Sequence, residues 1–214
     1  DKSLTFQGQG PPRPIIQASA TYNTATDRVF TLSFGAYSTS NIIAFENLTI
    51  RHGKKAAAPG GQGGGIAATS TVLKITNCEV NANIASTTSG GYYGEGGGAI
   101  WLNGSDLEAT GSTFDGNTHS SSFTGDMEGG GAIAFYCQDA INYMTITNCT
   151  FSGNSAGNKG GAIMARPPVT NSIQITNSTF HGNSAALGGA YMTAGSAANP
   201  QPIYFTNTIL SGNT

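Results

Sequence analysis

A two-part phrase returns down this chain and limits its folding more than any other feature. Phe114-Asp115-Gly116-Asn117 precedes Gly130-Gly131-Ala132-Ile133. Phe151-Ser152-Gly153-Asn154 precedes Gly160-Gly161-Ala162-Ile163, and Phe180-His181-Gly182-Asn183 precedes Gly188-Gly189-Ala190-Tyr191. Weaker copies place Val80 and Asn83 before Gly97-Gly98-Ala99-Ile100, and Ile50 and Gly53 before Gly64-Gly65-Ile66. A half copy, Leu210-Ser211-Gly212-Asn213, closes the series. The period is roughly 30 to 40 residues and varies, whereas apolar residues hold the Phe and Ile slots throughout. Fixed slots at a variable period mean fixed strands and adjustable loops.

Within a repeat the apolar side chains alternate. Met144 and Ile146 share one face, as do Ile173 and Ile175, and Leu73 and Ile75. The parity then breaks, because Ile146 and Phe151 would face opposite ways on a straight strand. A corner must separate them. Asn148 fills that slot, joined in other copies by Asn47, Asn77, Asn177 and Asn207, with Gly111 in the remaining full copy. Asn enters the left-handed region more readily than most residues. Gly153-Asn154 supplies a second turn. Short strands, sharp corners and one turn per repeat predict an all-β, right-handed parallel β-helix of about seven coils. With strands about 4.8 Å apart, its core is a rod on the order of 30 Å long. The loops are expected at one fixed place, between the F-x-G-N turn and the G-G-A-I strand, stacked on one side.

Composition narrows the partners. The formal net charge is -2 and only 9% of residues are charged, with no basic stripe, which argues against nucleic acid. No apolar run reaches membrane-spanning length. The 31 glycines could signal disorder, but 38% of residues are hydrophobic and they fall in register. Three cysteines, Cys78, Cys137 and Cys149, are too few and too scattered for a disulfide framework or a zinc site, and read as small buried hydrophobes. No cofactor or metal is expected. Asp1-Lys2-Ser3-Leu4 is not a signal peptide, so a signal has been removed or the chain is part of something larger.

The stacked loops carry the candidate binding residues. Tyr92, Tyr93 and Glu95 lie in one, and Phe123, Asp126 and Glu128 in the next. Trp101 and Tyr136 sit on adjoining strands, out of phase with Ile100 and Phe135, and are expected to face outward beside them. Aromatic rings beside carboxylates suit a sugar, whose ring face packs while the acids accept its hydroxyls. The simpler reading is that these aromatics pack the loops onto the rod. The acids match no calcium-loop spacing.

Catalysis finds little support. The remaining acids are scattered among the coils, and His52, His119 and His181 have no evident serine or cysteine partner. No enzyme is expected; were there one, a polysaccharide lyase or glycoside hydrolase would be the class. Thr76, Thr110, Thr147, Thr176 and Thr206 form an outward ladder, explained by β-propensity. Four glycosylation sequons begin at Asn47, Asn103, Asn148 and Asn177, three of them at the corner slot.

The paired motifs resemble those of the chlamydial polymorphic outer-membrane proteins and other secreted bacterial β-helix proteins. The residues that carry the likeness are Phe114/Asn117, Phe151/Asn154 and Phe180/Asn183, with Gly97–Ile100, Gly130–Ile133 and Gly160–Ile163. The likeness covers roughly residues 42–214 of a single domain, and residues 1–41 look like an irregular opening coil. It implies a secreted or surface-displayed passenger with an adhesive or structural role, in which the motif residues are structural. Glycans or cell-surface receptors are the implied partners. Coil ends without evident caps suggest a fragment of a longer protein, or subunits associating end to end into a filament.

Overall fold

The computed structural model describes residues 3–56, 61–87, 94–121, 128–137, 142–166, 172–194 and 202–214. Among them regular structure is all strand, and every strand pairing is parallel. One coil shows the plan. Asp106–Thr110 lies in sheet A, Thr113–Asp115 in sheet B, Thr118–Ser121 in sheet D, Glu128–Gly129 in sheet E and Ile133–Tyr136 in sheet C. The next coil repeats the path from Tyr143–Thr147. Sheets A and B each hold seven strands and sheet C six. Their outermost strands are edges, leaving about five turns flanked on both sides, against the seven coils expected.

The corners fall where the parity break requires them. Asn47, Asn77, Gly111, Asn148, Asn177 and Asn207 all have φ between 48° and 58°. The second corner uses Gly116, Gly153, Gly182 and Gly212 at the glycine of F-x-G-N, and His52 and Ala82 adopt the same left-handed conformation in the weaker copies. A non-glycine residue is strained there, so these two positions are held by their neighbours.

Inside the rod, like stacks on like. Phe114, Phe151 and Phe180 are register partners with ring centroids 4.7 and 4.6 Å apart and nearly parallel planes. Ile66, Ile100, Ile133 and Ile163 form the facing column. Both columns are fully buried. Each such side chain contributes about 2 to 3 kcal/mol by leaving water.

The second glycine of each G-G-A-I strand is required by close approach. A Cβ on Gly98 would strike the carbonyl of Gly131, one on Gly131 that of Gly161, and one on Gly161 that of Gly189. This is why the pair survives in every copy while its surroundings vary. The three cysteines are buried and form no disulfides, and burial pushes the Cys149 thiol up to about 11.

Two expectations about loops need correction. The stretches read as loops after F-x-G-N begin as strand: Lys54–Ala56, Ile84–Thr87, Thr118–Ser121 and Ser155–Ala156 form sheet D. Long connections also occur at a second place, between sheets C and A. Arg166 ends one strand and Ser172 begins the next, and Thr193 is likewise followed by Ile203, whereas Thr69 reaches Val72 through a tight turn at Ser70. The period conceals this because insertions at one site offset deletions at the other.

Candidate functional site

The most ordered polar feature is a column of buried asparagines at the last position of F-x-G-N. Asn117 donates its backbone N–H to Asn154 Oδ1 at 3.0 Å and its side-chain Nδ2 to the same oxygen at 3.1 Å and to Val80 O at 2.8 Å. Asn154 repeats the pattern toward Asn183 Oδ1 and Phe114 O, and Asn183 toward Asn213 Oδ1 and Phe151 O. Asn83 does the same toward Asn117 and Ile50, and its own Oδ1 accepts from Gly53 N. Each amide therefore satisfies both a backbone donor and a carbonyl of the coil before it. Buried peptide groups at a corner have no sheet partner, and leaving them unpaired costs about 1 to 3 kcal/mol each. This makes the asparagine structural, as the repeat implied. Its inward ladder was not foreseen, although Asn persists where the preceding glycine does not.

A second ladder follows the first corner. Cys78 N donates to Ser112 Oγ, which donates in turn to Thr110 O and Ile75 O. Cys149 N donates to Ser178 Oγ in the same way. Asp106, which the sequence did not single out, is a buried hub: it accepts from the Tyr37 hydroxyl, the Asn142 side chain and Tyr143 N. Burial, followed by the bond to Asp106, raises the Tyr37 phenol well above its ordinary range.

The candidate ligand residues divide. Tyr92, Tyr93, Phe123 and Asp126 lie outside the described residues. Glu128 is on a strand in register with Glu95. Trp101 and Tyr136 do leave the main core, but their expected exposure is wrong: they are only 5% and 3% accessible. With Ala67, Ala134 and Met164 they form a small second core on the outer face of sheet C. The returning segment covers it. Trp101 Nε1 donates to Gly94 O at 3.0 Å, Tyr136 Oη donates to Glu95 O at 3.1 Å, and a Cβ on Gly94 would overlap the Tyr136 ring. These aromatics hold the tier down. Glu95 is buried too, at 2%.

Sheet D lies beyond the asparagine ladder, and it mixes polar side chains with small apolar ones and Ile84. His119 is wholly buried, with Nε2 3.2 Å from Thr87 Oγ1, and burial lowers its pKa to about 4. No group of three or more His, Cys, Asp or Glu residues suited to a metal occurs among the described residues. The outer face of sheet B carries a column of Asn81, Asp115, Ser152 and His181. Ser152 Oγ donates to Asp115 Oδ1 at 2.5 Å. The register thus gives His181 a serine neighbour that sequence spacing hid.

These features define a parallel β-solenoid stabilised by internal amide and hydroxyl ladders. The sequence pattern of the Chlamydia polymorphic membrane protein (Chlamydia_PMP) repeat matches residues 148–166. That stretch runs from the Asn148 corner through the Phe151 stack, the Asn154 ladder and the Gly160-Gly161 pair to the end of the Ile163–Arg166 strand. In repeat and fold the chain is similar to chlamydial polymorphic membrane proteins. No curated protein and no solved structure matches it.

Proposed function

We propose that this chain is a non-catalytic, surface-displayed β-helix passenger with an adhesive role. The carrying observation is the Chlamydia polymorphic membrane protein repeat at residues 148–166, set within a regular solenoid. The use of acids supports the absence of catalysis. Asp106 is taken up in its hub, Glu108 pairs with Lys74 at 2.7 Å, Asp27 pairs with Lys55 at 3.0 Å, and Asp115 accepts from Ser152. A glycan or a glycosylated receptor is the ligand class this reading favours. Tyr92, Tyr93, Phe123 and Asp126 are its contact candidates.

The test is saturable binding of the purified chain to host-cell surfaces and a glycan array, run beside a polysaccharide cleavage panel. Binding that disappears in the Tyr92→Ala/Tyr93→Ala double variant, with no new reducing ends, is the expected result. New reducing or unsaturated ends would overturn the non-catalytic reading. Absence of binding to every surface would overturn the adhesive one.

A further inference from the structure

The sheet E segment covers the second core and packs in turn on sheet D, and one polar side chain of this two-sheet tier is incompletely satisfied. His119 lies on Thr118–Ser121, between Ala85 and Ala156 in the sheet D register. Its Nε2 meets Thr87 Oγ1, and among the described residues nothing bonds Nδ1 although that atom is buried. Thr87 ends Ile84–Thr87, against which Glu95–Gly96 packs, and Thr118–Ser121 packs against Glu128–Gly129. Gly94, just before Glu95, receives the Trp101 indole N–H. A continuous path therefore runs from His119 through Thr87 and the returning strand to the cover over Trp101.

We propose that His119 is an acid-triggered release for this tier: its protonation lifts sheets D and E off sheet C and uncovers Trp101, Tyr136 and Met164. Neutral His119 suits its site, because the rim is Thr and Ala, and Ile84–Thr87 and Ser155–Ala156 carry no ionisable residue. The charged residues on the remaining packed segments are Glu95, Glu128 and Lys159. An imidazolium needs two acceptors, and the described surroundings give it one. Opening the tier is the cheaper relief, since sheet D has four strands and sheet E two, against seven in sheets A and B. The asparagine ladder separates the tier from the phenylalanine column and holds no titratable group. The rod therefore remains closed while the tier opens. This inference is independent of the adhesive reading.

Trp101 is the only tryptophan, so its emission reports the cover directly. The experiment follows that emission, far-UV circular dichroism and hydrogen exchange of residues 84–87 and 118–121 from pH 7 to pH 5, in the wild type and in His119→Gln. A group whose pKa falls from 6.5 to about 4 on burial favours the open form by on the order of thirtyfold at pH 5. The expected result is protection lowered by that factor in the wild type, with unchanged circular dichroism and Trp101 emission that moves to the red only as far as the open fraction grows. His119→Gln keeps an amide for Thr87 but cannot be protonated, and its protection should not change with pH. Unchanged protection of residues 84–87 and 118–121 in the wild type down to pH 5, or loss of sheet signal together with the loss of protection, would overturn the proposal. So would a His119→Gln variant that opens at the same pH. Should that variant not fold, wild-type exchange alone decides: loss of protection in the tier but not at residues 144–147 supports the proposal, and equal loss at both sites refutes it.

Discussion

Asn117 and His119 are two residues apart and both wholly buried, yet they are held in different ways. Asn117 uses both ends of its amide on the coil of Val80 and Asn83, and its backbone N–H on the coil of Asn154. His119 has one hydroxyl neighbour and an unbonded nitrogen. The first belongs to a ladder that repeats from Asn83 to Asn213, the second to a tier built differently in each coil. Repetition lets one geometric solution satisfy every corner. The tier carries the variable sequence and, with it, the imperfect satisfaction. Stability and adaptability are thus separated within a single turn of chain.

Removing a rung should break the stronger region most. Asn154→Ala leaves Asn117 N and Phe114 O without partners and takes one bond each from the Asn117 and Asn183 side chains, and urea unfolding should show a loss of roughly 5 kcal/mol or no folded protein. A loss below about 1 kcal/mol would deny the ladder its role. Phe151→Ala opens the centre of a three-ring stack and should cost about 4 kcal/mol by the same measurement, with no selective loosening of the tier.

Acid sharpens the contrast. The folded-state pKa of His119 lies below its unfolded value of 6.5, so the unfolded chain binds the proton more tightly. Stability is therefore full above about pH 6.5 and falls as the pH drops toward 4. The loss is at most about 3 kcal/mol, absent in His119→Gln, and measurable from chemical unfolding at stepped pH. The exposed corner should respond least. Asn148→Ala places alanine in the left-handed region at a cost of about 1 kcal/mol, and Asn148→Gly should be close to neutral.

What could be read in advance follows the same division. The Phe and Ile columns, the Asn148 corner slot and the parallel winding were legible because each repeats, and repetition exposes parity. The inward ladder was half legible: Asn117, Asn154 and Asn183 were visible as a fixed letter, but their bonds reach to the neighbouring coils and appear only in register. The tier was least legible. Period-two alternation placed Trp101 and Tyr136 correctly outside the main core, yet alternation records only which face a residue occupies. That Gly94 and Glu95 return to cover that face is set by chain not bound to the repeat. The neighbours Asp115, Ser152 and His181 were equally hidden, since about 30 to 40 residues separate each from the next.

The winding and its ladder can be tested together by scalar coupling through hydrogen bonds in solution NMR. Coupling from the Asn117 backbone nitrogen to the Asn154 side-chain carbonyl carbon, and from Asn154 to Asn183 in the same sense, is the predicted result. Asparagine side chains that couple to no residue one coil on, or strand contacts running antiparallel, would contradict it.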